Sequence, residues 1–209
     1  MARRSMKEEI LGAGVELFLE RGFNAAGVKD ITDRAGVPKG SFYNHFASKE
    51  ALGIAALQRY WEGGATLLEM LRDGAKPPAD RLLAYFQALA DITRRADHRF
   101  GCMIGNLGAE LGGTTPSIRV EIAAIMASWS GAIADCIRDG QRDGSIRGDM
   151  EPEVLGLFLL DAWEGALLRA KVDRSEAPIA AFMTIALGGL LQTSWRLPAR
   201  QTSRAKGEV

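Results

Sequence analysis

The stretch VKDITDRAGVPKGSFYNHF, residues 28–46, decides the fold. Val28, Ile31 and Ala35 recur at helical spacing, as do Phe42 and Phe46 after a break at Gly36-Val37-Pro38. The spacing predicts two short helices, about 28–35 and 39–46, joined by a tight turn. Gly36 permits that turn, and Pro38 near the start of the second helix loses no useful hydrogen bond. Helices this short cannot bury enough apolar surface alone, so both must pack on a third. Lys39, Gly40, Ser41, Tyr43, Asn44 and His45 then remain outside. They are donors, acceptors and one aromatic, with no acid. A helix that meets base edges and phosphates in a major groove needs that set, and Gly40 lets its backbone come close.

Upstream, Ile10, Leu11, Gly14, Leu17 and Phe18 form one face of a helix over about 5–21, with Gly22 where a left-handed cap is wanted. Downstream, Ser48 reads as the N-cap of a long helix to about 71, with Glu50 in its first turn. Further helices are expected over about 78–97, from near 102, over 116–142, 152–171 and 177–195. No segment alternates with period two. The expectation is an all-α chain of about nine helices. A three-helix DNA-binding unit (1–48) shares a helix with a larger bundle (49–197), and a polar, basic tail follows (198–209).

The totals restrict the function classes. Lys+Arg and Asp+Glu are both 26, so any nucleic-acid contact must be local. The first fifty residues carry a slight positive excess, the tail (Arg196, Arg200, Arg204, Lys206) is clearly basic, and the middle is acidic. Two cysteines, Cys102 and Cys136, and two histidines have no metal-ligand spacing, so neither a metal nor another cofactor is expected. No Ser-His-Asp order and no phosphate-cradling glycine loop suggests an enzyme. The N-terminus lacks the apolar core of a signal peptide, and no apolar run reads as long enough to span a bilayer, so the expected location is the cytoplasm.

The run Gly36-Val37-Pro38-Lys39-Gly40-Ser41-Phe42-Tyr43-Asn44-His45-Phe46, followed by Ser48-Lys49-Glu50, resembles the signature of the TetR family of transcriptional repressors. The resemblance extends upstream through Ala13, Leu17, Phe18, Gly22 and Phe23. It implies that Tyr43, His45 and Lys49 hold phosphates and that Lys39, Ser41 and Asn44 approach bases or phosphates. Gly40 and Lys29 join that surface, and Arg3 and Arg4 would reach a minor groove. The sequence departs from the family at Gly27, where a Ser or Thr often caps the second helix and touches phosphate.

Two further stretches, GCMIGNLGAEL (101–111) and WEGALLRAKV (163–172), are similar to a subgroup that includes acrylate-responsive and electrophile-sensing repressors. That resemblance implies a reactive Cys102 with Lys171 nearby. A thiol in the first turn of a helix, beside an ammonium, would ionise more easily. The alternatives are a packed, inert cysteine, or a non-covalent pocket in which Lys171, Arg169 or Asn106 pairs a small carboxylate. Trp61, Tyr60, Phe86, Phe100, Met103, Met126, Trp129 and Trp163 are candidates to line a pocket or to form core, and Cys136 reads as core. The last two helices are apolar on more than one face (Leu155, Phe158, Leu159, Leu167, Ile179, Phe182, Met183, Leu187, Leu190, Leu191), with Gly188-Gly189 allowing close approach. Such helices are buried, here against a second copy. The expected partners are thus operator DNA, a small effector and a homodimeric mate.

Overall fold

The computed structural model describes residues 5–190. Arg3, Arg4, Leu191 and the basic tail lie outside the described residues. Every regular element among the described residues is helical.

The first three helices are α1 (Met6–Arg21), α2 (Val28–Ala35) and α3 (Gly40–Tyr43). Ser5 caps α1 by accepting from the Glu8 amide at 3.3 Å. All five residues expected on its inner face are buried. Ile31, Phe42 and Phe46 are sealed against it, with Val28 and Ala35 half-buried beside them. Gly36 turns the chain with φ +67° and ψ 29°, the left-handed conformation that glycine adopts without strain. α3 is shorter than expected, with four residues in regular α geometry. The turns around it close by tighter bonds, Ser41 N–H to Pro38 at 2.9 Å and His45 N–H to Phe42 at 3.0 Å.

The larger unit holds α4 (Lys49–Gly63), α5 (Ala65–Arg72), α6 (Pro78–Arg95), α7 (Met103–Leu111), α8 (Pro116–Asp143) and α9 (Pro152–Asp173). A last run, α10 (Ala177–Leu190), is π-helical over Phe182–Leu187. Ser48 caps α4 as expected, accepting from Ala51 N–H at 3.1 Å. The single helix expected over 48–71 is two: Gly63-Gly64 ends α4, and the Gly64 amide bonds back to Trp61 at 3.0 Å. Paired glycines weaken the helix there by about 1 kcal/mol each relative to alanine. Buried Arg81 ties the segment together, donating to the Leu71 carbonyl at 3.0 Å and to Asp139 at 3.3 Å.

α8 is the central post, packed by α4, α5, α6, α7 and α9. It corrects one expectation, being long and apolar enough to cross a membrane by length and composition. Its apolar side faces this bundle: Ile118, Ile122, Ile125, Trp129, Ile133 and Ile137 are all buried.

Candidate functional site

Two regions carry chemistry; α1 supports the first from behind and lines the second. The first is the outer face of α2 and α3. Lys39, Gly40, Tyr43, Asn44 and His45 are exposed and Ser41 is half-buried. Tyr43 is 60% exposed although Phe42 beside it is sealed, so the short helix holds its polar side outward. Lys29 is exposed and pairs with Asp33 one turn on. Gly27 supplies no side chain at the start of α2, but Asp30 reaches back to accept from its amide at 2.9 Å.

Lys49 is placed differently from the expectation of a free phosphate contact. Its ammonium donates to the carbonyls of Phe23 at 2.9 Å and Ala26 at 3.2 Å and sits 4.3 Å from the Phe23 ring centre. Partial burial lowers its pKa, with Glu110 opposing. Lys49 thus braces the turn between α1 and α2.

The second region is a cavity of about 480 Å³ between the two units. Val15 and Leu19 of α1, Tyr60 and Trp61 of α4, and Gly64 at the helix break form one wall. Tyr85, Phe100, Cys102, Trp129 and Trp163 form much of the rest. The volume suits a small organic molecule. Trp61 and Trp129 lie 5.9 Å apart, and Trp129 donates to the Tyr85 hydroxyl at 2.6 Å. Of the expected pocket residues, Cys102, Trp61, Trp129 and Trp163 line the cavity together with Tyr60 and Phe100. Met103 is wholly buried and Met126 packs against the core. Asn106 lies against Gly101, so close that a Cβ there would stand 3.0 Å from its Oδ1. Phe86 belongs to an aromatic cluster with Trp163 and Phe182.

Cys102 is the N-cap of α7 and is buried. The helix-start amides of Gly105 and Ile104 favour the thiolate, although the sulfur makes no capping hydrogen bond. The expected easy ionisation nevertheless does not follow. Burial, and then the neighbouring Glu164 carboxyl, push its pKa far above the ordinary value. Its polar neighbour on α9 is Glu164, where the sequence had suggested Lys171. Lys171 is half-buried two turns beyond Glu164, about 10 Å along the axis, and is not on the cavity wall. Arg169 is engaged by Asp173 at 2.6 Å.

Glu164 is the functional candidate that sequence reasoning missed. One of its oxygens lies 2.1 Å from where a Cβ on Gly105 would stand, so a side chain there would displace the carboxyl. The other, Oε1, is buried with no hydrogen-bond partner. Burial raises its pKa to about 7, opposed by the Cys102 thiol and assisted by Asp161. Tyr60 lines the cavity with Cys102, and burial holds its phenol neutral.

Glu110, at the far end of α7, was also missed. Its carboxylate accepts from the Phe23 amide at 2.8 Å and the Asn24 amide at 2.6 Å. Gly22 makes room, because a Cβ there would come within 2.8 Å of Glu110 Oε2. Its φ of +83° suits glycine, although with ψ 172° the cap is extended rather than the expected left-handed turn. The same short helix therefore begins at the cavity and ends on the α1–α2 turn.

Comparison with known proteins agrees with the fold. Residues 10–56 match the family described as bacterial regulatory proteins, tetR family, and residues 78–186 match the tetracyclin repressor-like C-terminal domain. The chain is 40% identical over 195 residues to the HTH-type transcriptional repressor DhaR of Mycobacterium sp. (strain GP1), covering 93% of this chain and 96% of that protein. It is 33% identical over 176 residues to the transcriptional regulator AcuR of Cereibacter sphaeroides, covering 84% and 80%. The crystal structure of the reduced form of Escherichia coli NemR superposes with a TM-score of 0.79 at 29% identity, covering 90% of this chain and 98% of that one.

Proposed function

The chain belongs to the TetR family of bacterial transcriptional regulators, and from that premise we propose that it is a cytoplasmic one-component repressor released from DNA by a small neutral electrophile. Its relatives are transcriptional regulators, not enzymes. Residues 1–48 are the reading head and residues 49–197 bind the effector and a second copy. Tyr43, His45 and Lys39 hold phosphates, and Ser41, Asn44 and the bare backbone at Gly40 approach base edges of a palindromic half-site.

The observation that carries this reading is the shared wall. Val15 and Leu19 line the cavity from α1, the helix on which α2 and α3 pack. A molecule that fills the cavity presses on α1, on the α4–α5 break and on the start of α7, and α7 grips the α1–α2 turn through Glu110. Release is then a population shift toward a spacing of the two heads that misses successive major grooves.

The cavity also bears on effector charge. Among the described residues Arg59 is the single cation on its wall, and it pairs with Glu8 at 2.6 Å. With Glu164 just behind Cys102, an anionic carboxylate has no partner and a like charge nearby. A neutral unsaturated ester, ketone, aldehyde or quinone fits better, captured by Cys102. The aromatic lining equally supports a non-covalent apolar ligand, which is the second reading.

The test is fluorescence anisotropy of the protein on the DNA upstream of its own gene, with acrylate, methyl acrylate and a quinone in turn. The expected result is tight binding lost with the neutral compounds at far lower concentration than with acrylate, and persisting after dilution. Release that reverses on dilution favours the non-covalent ligand. Release by acrylate at equal or lower concentration overturns the charge argument.

A further inference from the structure

We propose that Glu164 is the base that takes the Cys102 proton when the thiol adds to a neutral α,β-unsaturated carbonyl compound in the cavity. The inference rests on the covalent form of the reading above and assigns the step that form leaves unexplained. A thiolate is the nucleophile in such additions. Here the thiol is buried at the cavity wall that Tyr60, Tyr85 and Trp163 also line, and among the described residues the paired Arg59 is the single cation there. Burial and the neighbouring carboxyl outweigh the helix-start amides, so the thiol rests protonated before the electrophile arrives.

The geometry supplies a base instead. The Glu164 carboxyl stands beside the Cys102 thiol, with one oxygen against Gly105 in the first turn of the helix that Cys102 caps. The second carboxyl oxygen is buried and unpartnered, so it accepts without first breaking a protein hydrogen bond. Gly105 lets the carboxyl sit directly on the first turn of α7, since any side chain there would occupy its place. The titratable groups facing Glu164 are Cys102 of the α7 cap, Tyr60 of α4, Tyr85 of α6 and, on its own helix, Asp161. Both phenols are held neutral by burial, so the carboxyl is the proton acceptor in the group.

The step balances without a further reagent. Sγ bonds to the β-carbon of the electrophile while the S–H proton passes to Glu164. The C=C electron pair moves to the α-carbon and carbonyl oxygen as an enolate. Glu164 then returns the proton to the α-carbon, and the net change is addition of S–H across the double bond. Glu164 is unchanged at the end, and its ionisation near neutral pH matches a general base that works there.

The experiment follows adduct formation at Cys102 in the full chain with but-3-en-2-one, by peptide-resolved mass spectrometry from pH 5.5 to 9. Cys136, which donates to the Pro78 carbonyl at 3.4 Å, is scored separately. The wild-type rate is expected to rise through about pH 7 and level off. E164Q is expected to react about 100-fold more slowly at pH 7, the scale of general-base assistance, and to rise tenfold per pH unit without a plateau. E164D should restore part of the rate and the plateau. A wild-type rate that climbs steadily to pH 9 overturns the inference without any variant, so a misfolded E164Q does not shield it. Equal rates and profiles in wild type and E164Q overturn it and leave covalent capture standing. A Cys102 that never reacts overturns both.

Discussion

At the scale of single residues, burial reverses what local position suggests. Cys102 has the helix-start amides that favour a thiolate, yet desolvation outweighs them and the pKa rises. Lys49 is basic and lies in the expected DNA-binding set, yet its amine is held by two carbonyls and a ring. Glu164 makes the sign explicit. Its folded pKa is raised from 4.5 to about 7, so the folded state binds that proton more tightly than the unfolded chain. Its ionisation therefore destabilises the fold progressively from about pH 4.5 to 7, and the penalty is constant above. E164Q should consequently gain stability relative to wild type across that window, reaching on the order of 2 kcal/mol at pH 8. Thermal melts of the two proteins at pH 5 and pH 8 check this; a difference that is the same at both would count against it. On the DNA face, Lys39→Ala should weaken operator binding for all sequences alike and reduce the slope of log K against log salt by about 1. Anisotropy titrations at several salt concentrations measure that slope. A change confined to one base position would make Lys39 a base reader instead.

At the scale of elements, α7 is the piece whose two ends matter separately. Its start carries Cys102 and its end carries Glu110, which closes on the Phe23 and Asn24 amides. Gly22→Ala would place a methyl group 2.8 Å from Glu110 Oε2 in a backbone conformation that alanine resists. Each of Gly22→Ala and Glu110→Ala should destabilise by about 1–3 kcal/mol. The double variant should cost clearly less than their sum, because both break one clamp. Urea denaturation of the four proteins closes that cycle. If the clamp carries the effector signal, Glu110→Ala should retain operator binding but need about tenfold more methyl acrylate for release. The Phe23 and Asn24 amides should also exchange faster. The loop entering α7 holds two non-glycine residues, Asp97 and His98, at φ +53° and +51°. Such conformations persist only where the surroundings enforce them, here beside the cavity wall at Ala96 and Phe100.

At the scale of the whole molecule, the exposed face of α9 and α10 is the expected seat of the second copy. Val154, Leu157, Phe158, Leu168, Val172 and Ile185 are all more than half exposed, and Met150, Ala162, Ala166 and Gly189 continue the groove that contains Phe158. Several residues expected at a dimer contact belong instead to this chain's own core: Leu155, Leu159, Leu167, Ile179, Phe182, Leu187 and Leu190 are buried, and Met183 is half-buried. Phe158→Glu should leave the chain folded but monomeric by light scattering, with operator affinity reduced by two orders of magnitude or more, roughly the loss of one half-site. A dimer that survives this change would move the interface elsewhere. The amino-acid sequence by itself determined the helical class, the reading head and its outward residues, because those rest on spacing and turn chemistry within some twenty residues. It also brought Cys102 and three tryptophans into view as pocket candidates. Only the tertiary structure decided that Glu164 rather than Lys171 stands beside Cys102, that Lys49 is a brace, and that α4 breaks where the cavity lies. Those facts depend on which helices meet and on how far water is excluded between them. Periodicity within one helix records which face is apolar, but it carries no information about the charge that the neighbouring helix brings to it.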